Sequence, residues 1–302
     1  MAGSLHWPGS SRYTAAMSVP ALPARPTWWR VARYIRHTIL RGLTIVERLR
    51  PSRRDALLPP AHLRVYYYGT ADPAAFARAC VGARTEVLSH GLAPHNRMLD
   101  IGPGIGILAL GLVDFLTATY DGLEIHSEAV AWCQRAITPR YPAFRFHHAD
   151  VASRFYNPAG TTTAASYRFP FEDRAFDFVM LGSVFTHMLP DEVVHYLREI
   201  ARVLEPGGVA VISWFLLDAE SRPRVDDGLS FMSFGVRHSS GVCRLHDAIV
   251  PEAAVAFEET FALNAITAAG FRVHNRRRGG WSTGQANDQD VLTLVTEPFP
   301  TS

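Results

Sequence analysis

Asp100, Gly102, Gly104 and Gly106 fall within the stretch LDIGPGIG, where an apolar run meets an acid and then three glycines at alternate positions. Lacking Cβ atoms, the glycines can turn at positive φ and let the main chain approach a ligand closely. Two more acids follow later apolar runs, Glu124 in GLEI and Asp150 in HHADV. A carboxylate placed like Glu124 can accept from both hydroxyls of a ribose, each charge-assisted bond being worth roughly 1.5–3 kcal/mol. Ile125 would then lie against an adenine face, and Asp150 would bond the adenine amino group with Val151 beside it. His187, in GSVFTHMLP, follows the next apolar run and is the candidate general base. Together these residues describe a site for an adenosine-containing ligand with a proton acceptor nearby.

Three such ligands compete. A phosphate-cradling loop of the G-x-x-x-x-G-K-[ST] type needs a lysine, and the chain has none. The dinucleotide fingerprint G-x-G-x-x-G needs a glycine where this chain has Ile107. S-adenosylmethionine sites place an acid two residues before the first glycine, as Asp100 is placed. That cofactor carries an ammonium and a sulfonium but no pyrophosphate, so an acid at the strand tip attracts it and repels a dinucleotide. Glu124 suits the ribose of either ligand, so it specifies adenosine and not the whole cofactor.

Strands must carry these residues to a common edge. Arg97–Ile101, Ala118–Glu124, Phe144–His147, Phe176–Leu181 and Val209–Leu216 read as strands. Between them, Ile105–Leu116, Ser127–Ile137 and Asp191–Leu204 read as helices, the last stopped by EPGG. This alternation predicts a parallel sheet with helices on both faces, and ligands gather at the carboxyl ends of its strands. Ahead of it, Asp72–Gly91 reads as a helix, with Asp72 as N-cap and Pro73 in its first turn. Residues 218–251 show no strong period and are expected to form a lid or substrate insert. Helix Pro251–Gly270 and strands Phe271–Arg276 and Asp290–Thr296 close the chain.

The motifs LDIGPGIG, GLEI, HHADV, FPFEDRAFDFVMLGSVFTHM and LREIARVLEPGGVAVIS resemble, in order and spacing, those of class I S-adenosylmethionine-dependent methyltransferases. The resemblance is dense over residues 72–217. It implies an α/β fold with a doubly wound, mostly parallel, seven-stranded, Rossmann-like sheet whose final strand is antiparallel. N-terminal helices and an insert after the fifth strand would complete it. It also implies that Asp100, Gly102, Gly104, Glu124, Asp150 and Leu181 contact the cofactor. A looser resemblance, through SVFTHMLPDEVVHYLREIARVL and YNPAG, is to bacterial methyltransferases of sugar-like or natural-product acceptors.

The remaining sequence bounds this reading. All 30 basic residues are arginine, and ten of them fall in residues 1–55 against only Glu47 and Asp55. Residues 1–26 are expected to be disordered, and 27–71 to hold a basic amphipathic helix and a linker before a catalytic domain over 72–302. The helix stripe is no wider than packing on the body requires, so peripheral membrane contact through 27–50 is the less favoured reading. The body carries more acids than arginines and shows no nucleic-acid-binding module, which disfavours a nucleic acid partner. Cys80, Cys133 and Cys243 form no C-x-x-C pair, and Met1–Ser18 lacks a signal-type apolar stretch, so a cytoplasmic setting is expected. No metal is expected, because Cys243, His246 and His238 are loosely spaced and lack a fourth ligand. Arg276, Arg277, Arg278 and Trp281 suit either anion recognition or a solvated basic loop. The expected activity is methyl transfer to an oxygen of a small-molecule acceptor. A nicotinamide-linked oxidoreductase and a cofactor-binding scaffold without activity are the alternatives.

Overall fold

A computed structural model describes residues 57–154, 156–284 and 288–296. The expected helix in 27–49 lies outside the described residues. Two helices come first, α1 (Ala61–Tyr68) and α2 (Pro73–Ser89). Asp72 caps α2 as its sequence predicts, accepting from the amides of Ala74 and Ala75.

A seven-stranded sheet follows. Its strands are β1 (Met98–Ile101), β2 (Tyr120–Glu124), β3 (Phe144–His148), β4 (Phe176–Leu181) and β5 (Leu204–Trp214), then β10 (Phe271–Arg277) and β11 (Asp290–Thr296). Their order is β3-β2-β1-β4-β5-β11-β10. The first five are parallel, and β11 runs antiparallel between β5 and β10. Helices α3 (Ile107–Leu112), α4 (Ser127–Ala136) and α5 (Pro190–Val203) link the parallel strands. The order reverses between β1 and β4, where a doubly wound sheet opens a crevice at its carboxyl edge.

Side chains alternate between two cores. Leu99, Ile101, Val179 and Leu181 pack with α5 on one face, whereas Met98 and Phe178 pack with α2 and α3 on the other. Every residue of β1 is buried, as a central strand covered on both faces must be. Leu63 of α1 and Val87 of α2 belong to the second core, so these two helices are built into the body.

Two expectations fail, and the insert after the fifth strand is more ordered than its sequence shows. EPGG does not separate helix from strand, because β5 starts at Leu204 and an irregularity between Phe176 and Phe178 absorbs the extra residues. Residues 216–258 form a small second sheet, β6 (Leu216–Leu217), β7 (Val236–Arg237), β8 (Cys243–Leu245) and β9 (Val255–Glu258), in the order β6-β9-β8-β7. A short helix, α6 (Ser221–Asp226), follows β6. The last helix, α7 (Glu259–Ala268), therefore begins at Glu259 and not near Pro251, since Val255–Glu258 pairs with β6 and β8. Strands of two or three residues carry no readable period and exist only through their partners.

Candidate active site

The carboxyl edge of the sheet opens into a cleft of about 980 Å³, at the upper end of the roughly 300–1,000 Å³ range of ligand sites. Asp100, Gly102, Gly104 and Glu124 line it from the tips of β1 and β2. Ile125, Val151 and His187 line it further along.

The glycine turn is shaped by its neighbours. Gly102 and Gly104 sit at φ +80° and +54°, and a Cβ on either would meet Val184 at 2.7 Å or Tyr67 at 2.8 Å. Its amides are already engaged. Gly102 N–H donates to Leu123 O, Gly106 N–H to Pro103 O, and Gly104 N–H to Glu124 Oε2 at 2.9 Å. Pro103 has no amide to offer. This turn therefore lacks the array of free N–H groups that cradles a pyrophosphate, and presents carboxylates instead.

Among the described residues no arginine pairs with either carboxylate, and His148 is the one basic side chain that favours the charged form of Glu124. Asp100 is 4% exposed and accepts from Tyr120 Oη at 2.5 Å. Burial pushes its carboxyl up to about 7, against the Tyr120 hydrogen bond and with help from the charge of Glu124. Glu124 is also buried and also shifted upward by burial, although the amides of His126 and Gly104 hold its oxygens. Each oxygen keeps a second lone pair for a ligand. Two desolvated acids side by side make a site whose field favours a positively charged guest. The residues present thus fit an adenosine bearing cationic groups.

At the far end, His187 Nδ1–H donates to the Glu252 carbonyl oxygen at 2.9 Å. That bond fixes the neutral tautomer with its lone pair on Nε2, 3.5 Å from Tyr156 Oη. Burial lowers the imidazole's proton affinity, so the ring is uncharged at neutral pH. Val184, Met188, Leu189, Tyr196 and Pro251 make the surrounding wall mostly apolar.

Three of the expected cofactor residues lie outside the cleft lining. Leu181 is fully buried in the core with α5, because alternation along β4 turns its side chain to the Val179 face. Gly106 precedes α3 at φ +75°, where a Cβ would strike Ile137 at 2.6 Å, so close packing is what requires this glycine. The carboxylate of Asp150 is held by Thr161 Oγ1 at 2.5 Å within the 150–162 loop.

The arginine trio is neither a solvated loop nor a free anion site. Arg276 pairs with Asp218 and Glu259, Arg277 with Glu86 and Asp288, and Arg278 with Asp218 and Glu220. Trp281 is buried and donates from Nε1 to Asp290. Cys243 is buried in β8, His246 Nδ1–H donates to Ser233 O, and His238 bonds Ser240.

Two of the cleft residues absent from the sequence reading shape the site directly. Tyr67 of α1 covers Gly104 and bonds His126 Nδ1 through its hydroxyl at 3.0 Å. The run YYYG before the α2 cap was its visible signal. Ser183 lines the cleft at φ +58°, a conformation that disfavours non-glycine residues by of order 1–3 kcal/mol. Nothing local marks it.

The crossover order, the single antiparallel strand and the acid-tipped carboxyl edge define the class as a Rossmann-like α/β fold of the methyltransferase type. Residues 99–212 match the family model described as a methyltransferase domain. The methyltransferase family model thus covers the sheet from β1 into β5. Among curated proteins it is 32% identical over 132 residues to a fatty-acid O-methyltransferase of Mycolicibacterium smegmatis, covering 43% of this chain and 39% of that one. It is 28% identical over 160 residues to a sterol 24-C-methyltransferase of Schizosaccharomyces pombe, covering 52% and 37%. The chain thus spans about two fifths of the length of these relatives. Among solved structures it resembles a SAM-dependent methyltransferase of Methanosarcina mazei, with TM-score 0.50, 21% identity and coverage of 70% and 97%. A Pyrococcus horikoshii protein gives TM-score 0.51, 15% identity and coverage of 73% and 91%. No described helix is long and apolar enough to cross a membrane.

Proposed function

We propose that this protein transfers a methyl group from S-adenosylmethionine to a hydroxyl oxygen of a small, largely apolar acceptor. When bound, the cofactor supplies an electrophilic methyl on a sulfonium. Glu124 holds the ribose hydroxyls, Ile125 and Val151 flank the adenine, and Asp100 attracts the cationic end. His187 Nε2 takes the acceptor's hydroxyl proton, a role general bases fill for about 10²–10⁴-fold in rate. The apolar wall orients the acceptor and excludes water.

The observation that carries this reading is one cleft that joins two carboxylates, with no arginine partner among the described residues, to a neutral, tautomer-fixed histidine. An apolar acceptor is favoured over a sugar because Val184, Met188, Leu189 and Pro251 offer few partners for a polyol. The names of the two curated relatives, fatty-acid and sterol methyltransferase, point the same way. Calorimetric titration with S-adenosylhomocysteine and with NAD tests the cofactor half. Saturable binding of S-adenosylhomocysteine alone is expected, and binding of NAD alone overturns the reading.

A further inference from the structure

The carboxyl edge of the sheet carries a polar ring that the roles above leave unused. Ser183, just beyond β4, donates its N–H to Ser213 Oγ at 2.7 Å. Ser213, in β5, donates its hydroxyl to Gln289 Oε1 at 2.5 Å. Gln289, just before β11, donates from Nε2 back to Ser183 Oγ at 2.9 Å. Topology makes this possible: β4, β5 and β11 are adjacent, and β11 runs antiparallel, so its start meets the other two strands' ends. The ring closes on the cleft residue with φ +58°.

Each bond in the ring has a fixed direction, and together they leave two donors over, the Ser183 hydroxyl and the second Gln289 Nε2–H. Ser183 Oγ accepts from Gln289, so its own O–H is available to the cleft that Ser183 lines. A ligand with adenosine at β2 and β3 and its amino-acid end toward β1 and β4 brings a carboxylate to this side. That carboxylate finds little else. The amides of Gly102 and Gly104 are taken, and among the described residues lining the cleft Arg154 is the single permanent cation, beside Ile249 and Glu252.

We propose that Ser183 is a binding residue for the carboxylate of the cofactor's amino-acid portion, and that Ser213 and Gln289 are positioning residues that hold it in its left-handed turn. This rests on the cofactor reading above. A ring whose bonds polarise one another also strengthens the remaining Ser183 donor.

The test compares S-adenosylhomocysteine with 5′-methylthioadenosine, which keeps the adenosine and sulfur but lacks the amino-acid portion. Calorimetry is run on the full chain and on Ser183→Ala, Ser183→Gly and Gln289→Ala. Each variant is expected to bind S-adenosylhomocysteine about tenfold or more weakly and 5′-methylthioadenosine as the unaltered chain does, which also shows that the variant is folded. Gln289→Ala added to Ser183→Gly is expected to weaken binding no further, because glycine adopts the turn unaided and the hydroxyl is already gone. Equal weakening of both ligands, unchanged affinity in the single variants, or an additive double variant overturns the proposal. Failure of the unaltered chain to bind either ligand overturns the cofactor reading instead.

Discussion

Of the regions of this molecule that bury carboxylates, two treat them in opposite ways. At the carboxyl edge of the large sheet, Asp100 and Glu124 are buried with no arginine partner among the described residues, and burial drives both toward their neutral forms. Where β10 meets the second sheet, Asp218 is equally hidden. There, burial is outweighed by the amides of Ser221 and Glu220 and by Arg276 and Arg278, which hold the carboxyl at about 2. The second arrangement satisfies itself and ties the two sheets together. The first is incomplete, and a cationic ligand would complete it. A buried acid alone therefore says little, and the presence of its counter-charge separates a structural group from a binding one.

The largest expected effect sharpens the cleft side of this contrast. His187→Ala should lower turnover by about 10²–10⁴-fold while S-adenosylhomocysteine affinity stays within about twofold. The measurement is methyl transfer to a panel of phenols and long-chain alcohols, and unchanged turnover would remove His187 from the chemistry. Since burial lowers its proton affinity, activity should fall toward acid with a midpoint below the ordinary histidine value.

On the structural side, Arg276→Ala leaves Asp218 with only Arg278 and frees Glu259. A loss of about 2–4 kcal/mol is expected, toward the lower end of what breaking a buried pair costs. Urea denaturation should show it, with S-adenosylhomocysteine affinity unchanged. If affinity fell with stability, the two regions would not be separable as argued.

Glu124→Ala is expected to do the reverse. Losing the ribose bonds should weaken S-adenosylhomocysteine by about 10–100-fold, while the unliganded protein is as stable as before or more so. Calorimetry and thermal unfolding on one preparation decide this, and unaltered affinity would refute the ribose assignment.

The smallest effect is a pH dependence. The Asp100 carboxyl titrates near 7 when folded against an ordinary 3.8. Between those values the folded chain binds a proton that the unfolded chain has released, so this group's contribution to stability declines as pH rises from about 4 to 7. Asp218 acts oppositely, and its contribution is lost as pH falls through 3.8 toward 2. A cationic ligand favours ionised Asp100, so S-adenosylmethionine should bind more tightly as pH approaches 7, by up to about tenfold per unit, and level off above. Asp100→Asn should flatten that slope, and a slope that survives it would assign the proton elsewhere.

Much of the scaffold was legible because its signals are local. Strands β4 and β11 have the bounds their sequences predict, each an apolar run between breaks. Asp100 and Glu124 were readable because an acid that ends such a run must sit at a strand tip. The burial of the Leu181 side chain in the core turns on the face toward which β4 alternates, which the segment alone does not show. The bond from Thr161, eleven residues on, to the Asp150 carboxylate was not readable, because nothing local pairs the two. The arginine trio could not be judged until its acids, from Glu86 to Asp288, were brought beside it.

Periodicity, breaks and acid-tipped strands in the sequence thus determined the order of elements, the edge that binds and the sign of charge the site presents. Those are properties of single segments, set by side-chain spacing and backbone preference. Only the tertiary structure decided which acids keep a cation, which serine is bent toward the cleft and which tyrosine covers the glycine turn. Each of these depends on a partner distant in sequence, and that partner's distance fixes the local dielectric and the hydrogen-bond ledger on which the chemistry rests.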